Sequence, residues 1–242
     1  MTEGQADTPK PVRITKDMLA PSPPGRPDRP DPRAGRIDFE RGMSYAPPFT
    51  LGLLAFLTAV FAWQVVRGTL VDQETMIDAG ALVRSRVLAG EWWRILTATA
   101  LHDGARHLIG NGISLHILGM ATEHAFGPKR FALIYLISGL GGSAVSMLVG
   151  PGPSVGASGA IFGVMGALIA YLIKHQDRFY VRDKRIGVVL LAWACWILME
   201  GFLTPFVDNG AHLGGLMVGL LTGLFTPSQL LEPRVGSRPL PR

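Results

Sequence analysis

Ser158 sits among small residues in VGASGAIFGVMGA (residues 155–167), at the head of an otherwise apolar run. A serine hydroxyl is a weak nucleophile, so chemistry at this position requires a base within hydrogen-bond reach. The α/β-hydrolase elbow needs Gly-x-Ser-x-Gly, and Ala160 breaks that pattern. Gly156, Ala157 and Gly159, continued by Gly163, equally suit a close contact between membrane helices. Taken alone, the motif reads as that contact. His212, in Ala211-His212-Leu213-Gly214-Gly215, changes the balance. On a helix it shares one face with Gly215, Gly219 and Gly223, a groove for a second helix with an imidazole at its end. A small-flanked serine at matched depth makes His212 a candidate general base. Phe162 lies one helical turn beyond Ser158 on the same face, placed to pack against the imidazole ring.

A third group is Trp93-Arg94-x7-His102-x4-His107-x3-Asn111. His107 and Asn111 are i, i+4 neighbours and can donate to a developing oxyanion, together with the Ser158 amide at a helix N-terminus. One such donor typically contributes about 3–4 kcal/mol in the transition state. A metal is not expected. His116 stands roughly 180° round the helix from His107, and no His-Glu-x-x-His occurs. No cofactor is expected either. Asp208, four residues before His212, reads as an exposed loop aspartate rather than a third catalytic group.

These residues need elements to bring them together, and composition says which. The 242 residues are 48% hydrophobic and only 17% charged, outside the ordinary soluble class. Residues 1–46 carry eight Lys/Arg, seven Asp/Glu and a Pro-rich series, and read as a disordered tail. That polar stretch also argues against a cleaved signal peptide. Six apolar segments follow, at 48–66, 107–126, 131–149, 158–173, 186–204 and 210–226. The second is interrupted by His107, Asn111, His116, Glu123 and His124, and polar groups in a span usually face the bundle interior. The 67–106 loop, with Trp92 and Trp93, suits a segment lying in the interface. Cys195, the single cysteine, allows no intrachain disulfide and is expected to pack.

The expected fold is an all-α polytopic membrane protein, a six-transmembrane-helix bundle with a long interfacial first loop. Its domains are the 1–46 tail, a 47–226 membrane domain and a 227–242 tail. Lys/Arg cluster in the tails, the 127–130 joint and the 174–185 loop, while the 150–157 and 205–209 joints carry none. By the positive-inside rule both termini are cytoplasmic, with Ser158 and His212 near the opposite face. The pI near 9.7 is explained by this orientation and not by nucleic-acid binding, because the basic residues lack aromatic interleaving. The membrane is expected to be a cell inner (plasma) membrane.

In this order and on these spans, Trp-Arg…His-x4-His-x3-Asn, Gly-x-Ser-Gly and Ala-His-x-x-Gly-x3-Gly resemble the rhomboid intramembrane serine proteases of the six-helix bacterial type. The resemblance covers about residues 50–226. It implies a Ser158–His212 dyad without an acidic member, and an oxyanion site formed by His107, Asn111 and the Ser158 amide. Phe162 occupies the place of an aromatic that is often tyrosine. Arg94 matches an arginine bracing the first loop, Glu123 a buried carboxylate tying helices together, and His102 a structural histidine. Gly156 and Gly215 fall within the small-residue motifs. The implied substrates are single-span transmembrane proteins within the lipid bilayer. The alternative is a catalytically inactive, client-binding relative in membrane quality control; a small transporter would need polar residues along the whole bundle.

Overall fold

The computed structural model describes residues 36–150, 152–204 and 207–231, so residues 1–35 and 232–242 of the expected tails lie outside the described residues. The elements run α1 (Pro48–Arg67), α2 (Gln73–Asp78), α3 (Arg84–Leu88), α4 (Arg94–Thr97), α5 (Ala105–Phe126), α6 (Pro128–Val149), α7 (Ser158–Lys174), α8 (Val181–Leu203) and α9 (Asn209–Phe225). Among the described residues there is no strand, only isolated bridges at Ile37–Phe179 and Leu82–Ser154. The fold is an all-α membrane bundle of six long helices, with the three short ones in the first loop. Pro48 and Pro128 open α1 and α6, where a missing N–H costs nothing. Gly68 closes α1 in the left-handed conformation at φ 69°.

Among the described residues, three helices are long and apolar enough to cross a membrane: Pro48–Arg67, Pro128–Val149 and Arg185–Leu203. The polar residues of α5 keep it from matching that pattern. α7 and α9 are apolar but have only 17 residues each. α7 is the central helix, with every residue from Gly159 to Leu172 buried against α5, α6, α8 and α9. A helix apolar all round belongs in such a place. α1 and α8 turn Phe56, Val66, Val188, Trp196 and Met199 outward, a face suited to lipid.

The packed chain extends beyond the expected 47–226 core. Phe39 is buried among His124, Tyr171 and Phe179, and its N–H donates to Asp183 at 3.1 Å. At the other end Ser228 meets the Tyr171 hydroxyl at 2.9 Å, and the Leu230 N–H donates to the Ala125 carbonyl. Two apolar residues in a polar stretch, Ile37 and Phe39, give too little periodicity to mark this docking. Cys195, expected to pack, is exposed on α8.

Candidate active site

Backbone contact between α7 and α9 governs the site. A Cβ on Gly215 would sit 1.9 Å from the Gly159 carbonyl oxygen, and one on Gly219 would sit 1.9 Å from that of Gly163. Only glycine permits that approach. It carries His212, one turn above Gly215, to Ser158 at the first turn of α7. The Ser158 Oγ and His212 Nε2 are 2.9 Å apart. Phe162 stacks on the imidazole, with centroids 4.3 Å apart and planes inclined by 8°. His212 is buried, and its Nδ1 has no hydrogen-bond partner among the described residues. For Nε2 to accept the serine proton, Nδ1 must carry the imidazole's own hydrogen.

Asp208 does not reach that nitrogen. It is half-buried rather than the exposed loop residue expected, and it caps α9. One carboxylate oxygen accepts from the Ala211 N–H at 2.9 Å and the other from the Ser146 hydroxyl. An aspartate just before a helix satisfies amides that the helix leaves unpaired, which is why it turns toward α9.

From α5, His107 and Asn111 line the same cavity of about 1020 Å³ as Ser158, Phe162 and His212. Gly156 backs onto them. Its φ of +130° disfavours any side chain, and a Cβ there would lie 2.7 Å from His107 Cε1 and 3.6 Å from Asn111 Nδ2. The Asn111 amide is oriented by His102, whose Nε2 lies 3.0 Å from Asn111 Nδ2. His102 Nδ1 pairs with the Ala100 carbonyl at 3.2 Å, so Nδ1 donates and Nε2 accepts. Burial, and then the nearby His107, push the His102 imidazole down to about 4, so it stays neutral and keeps this tautomer near neutrality. One Asn111 N–H is thereby committed to His102, leaving the second for the cavity.

The first loop is fixed by buried polar contacts. Arg94, 4% exposed, donates to Glu91 at 2.7 Å, to the Ala81 carbonyl at 3.0 Å and to the Ile77 carbonyl. Its hydrogen bond holds the Glu91 carboxyl below its usual range. Leu82, next after Ala81, exchanges two backbone hydrogen bonds with Ser154, and the Gly156 N–H donates to the Ala98 carbonyl at 2.9 Å. Arg94 therefore acts on the segment leading into Ser158, through the loop. Glu123 accepts from the Phe49 and Thr50 amides and the Thr50 hydroxyl at 2.9–3.1 Å, closing the N-terminus of α1 with a carboxylate from α5.

Two participants have only faint signals in the sequence. Gln64 is fully buried in α1 and pairs with the backbone of His102 in both directions, at 2.9 and 3.0 Å. Its signal is a single amide in an otherwise apolar span. Asp103 meets His107 Nδ1 at 2.7 Å, and its signal is the i, i+4 spacing. Among the described residues no group of three or more His, Cys, Asp or Glu is placed to hold a metal. A part-buried serine–imidazole pair, facing amide and imidazole groups across a cavity, can perform acyl transfer.

The Rhomboid domain model matches residues 89–229. The chain is 37% identical over 191 residues to rhomboid protease GluP of Bacillus subtilis, covering 79% of this chain and 36% of that protein. It is 42% identical over 165 residues to RHOMBOID-like protein 5 of Arabidopsis thaliana, covering 67% and 52%. It is 31% identical over 204 residues to rhomboid protease AarA of Providencia stuartii, covering 72% and 71%. The chain thus spans about a third to a half of the length of the first two relatives.

Proposed function

The chain belongs to the rhomboid family, and on that premise we propose that it is an intramembrane serine endopeptidase working through a Ser158–His212 dyad. The observation that carries this reading is the 2.9 Å contact between Ser158 Oγ and His212 Nε2 under the stacked Phe162 ring. Ser158 Oγ attacks the substrate carbonyl as its proton passes to His212 Nε2. The tetrahedral oxyanion is held by His107, by the free N–H of Asn111 and by the Ser158 amide. His212 then protonates the leaving amine, and an acyl-enzyme remains. Water, deprotonated by the same imidazole, attacks the ester and releases the new carboxyl end and Ser158. Gly156 leaves room for the oxyanion site, Gly215 sets the helix spacing, and Arg94, Glu123 and His102 hold the surrounding frame.

The substrates are single-span transmembrane proteins in the bilayer. A helical segment hydrogen-bonds its own carbonyls, so the bond to be cut must first be locally unwound. The enzyme is a multi-pass protein of the cell inner (plasma) membrane with both termini cytoplasmic and the site opening to the outer face, as the Lys/Arg distribution supports. Residues 47–226, with the Ile37–Phe39 and Ser228–Leu231 flanks packed on them, form the protease domain. A catalytically inactive client-binding role needs no serine–imidazole contact, and nothing in the site favours it.

Labelling of the detergent-purified protein with a fluorophosphonate tests the dyad. Wild type should be labelled, Ser158→Ala, which lacks the oxygen that displaces fluoride, should not be, and His212→Ala should lose roughly three orders of magnitude or more in rate. Equal labelling of all three would end this reading.

A further inference from the structure

Asp103 lies just before α5, and its carboxylate meets His107 Nδ1 at 2.7 Å. The opposite edge of the ring, Nε2 with Cε1, faces Gly156 at the cavity wall, two residues before Ser158. A carboxylate only accepts hydrogen bonds, so Nδ1 must carry a hydrogen. A neutral imidazole has one N–H, which leaves Nε2 with a lone pair turned toward the cavity. That lone pair would repel a developing oxyanion. Donation from Nε2 therefore requires both nitrogens protonated, and the required counter-charge is already in contact.

We propose that Asp103 is a positioning residue that holds His107 as an imidazolium, so that the oxyanion is met by a charged Nε2–H. This rests on the protease reading above. No proton moves in the step itself: the N–H stays on His107 while negative charge builds on the substrate oxygen opposite it, and the charged donor strengthens the hydrogen bond. His107 also holds the Asp103 carboxyl below its usual range by that hydrogen bond. The other groups near His107 leave Asp103 as the acceptor at Nδ1. His102, whose ring centroid is 5.1 Å away, is neutral. Asp72 from the first loop, Arg106 on α5, Glu200 on α8, and Asp208 and His212 from α9 line the same cavity.

The test is the pH profile of kcat/KM for purified full-length protein cleaving a fluorogenic transmembrane peptide. Activity should decline on the alkaline side as His107 gives up its second proton. Asp103→Asn keeps the shape and an acceptor oxygen but removes the charge, so its alkaline limb should move to lower pH by several tenths of a unit, the size of a partly exposed ion pair. Asp103→Glu should restore part of the shift. In a His107→Ala background Asp103→Asn should change nothing further. A limb at the same pH in wild type and Asp103→Asn overturns the proposal. The side chain of Asp103 is 68% exposed, so its replacement leaves the core intact. The ring nitrogen-15 shifts of His107 in the wild type decide the matter without a variant: two protonated nitrogens at neutral pH support the imidazolium, and a bare Nε2 overturns it. Wild type that takes up no fluorophosphonate overturns both readings; labelled wild type with an unmoved limb overturns only this one.

Discussion

Replacing Gly215 with alanine probes whether helix spacing sets the dyad. The added Cβ would sit 1.9 Å from the Gly159 carbonyl oxygen and 2.7 Å from its carbon. Real Cβ contacts essentially never fall below 3.0 Å, and the obstacle is backbone with no rotamer to change. The helices must part by about 1.1 Å, the gap between the 1.9 Å contact and that 3.0 Å limit. His212 lies one turn away on the same face, so that retreat stretches the 2.9 Å contact with Ser158 to about 4 Å, beyond hydrogen-bond range. Misplacing a reacting group by about 1 Å costs on the order of a hundredfold in rate. Overpacking costs about 1–3 kcal/mol, and it outweighs the gain of up to about 1 kcal/mol in helix propensity. Gly215→Ala should therefore lower the fluorophosphonate labelling rate about a hundredfold and the melting temperature by several degrees. Gly52→Ala, inside α1 with nothing within 4 Å of its Cβ, should leave labelling unchanged and, with the same gain in helix propensity, should not lower the melting temperature. Labelling of Gly215→Ala at the wild-type rate would refute the argument that backbone contact fixes the serine–histidine distance.

Two further substitutions separate catalysis from stability. Asn111→Ala removes one proposed oxyanion donor and should slow turnover of a transmembrane substrate by roughly 10²–10³, while its melting temperature falls only by the loss of one hydrogen bond to His102; unchanged turnover would remove Asn111 from the site. Glu123→Gln puts an amide NH₂ against either the Phe49 N–H or the Thr50 donors, keeping an acceptor for the other, and should cost about 1–3 kcal/mol of stability with labelling per folded molecule preserved. A melting temperature equal to wild type would show that the carboxylate cap on α1 contributes nothing.

The Ser158–His212 contact is legible in the sequence because its signals are local and ordered: small residues around Ser158, a glycine face below His212, and a topology that returns both to one depth. The helix limits follow the apolar runs closely except at α8, which starts at Val181 rather than near 186. Its first turn contains charged residues that end an apolar run without ending a helix. Gln64 and Asp103 stay hidden for a different reason. Each acts through a partner whose position depends on tertiary packing, Gln64 across 38 residues to His102 and Asp103 through the rotamer of His107. Asp208 departs from its expected exposure because its capping bond to Ala211 and its bond to Ser146 on α6 are both set by helix placement.

The two helices that carry Ser158 and His212 are also the shortest of the six long ones. α7 and α9 have 17 residues, against 20 to 23 for the others. At 1.5 Å per residue, 17 residues reach about 25 Å, short of a hydrocarbon layer roughly 30 Å thick. A short helix facing lipid would have to thin the bilayer. α7 is buried from Gly159 to Leu172, so its shortfall is taken up inside the protein. The cavity over Ser158 and His212 lies at the N-terminal end of α7, and its wall carries Asp72, Glu200 and Asp208 as well as the site residues. Polar groups and water are tolerated at membrane depth only where protein encloses them. The central helix α7 is short, and the glycine face of α9 lets the two helices touch, so one arrangement both sets the recess and brings His212 to Ser158.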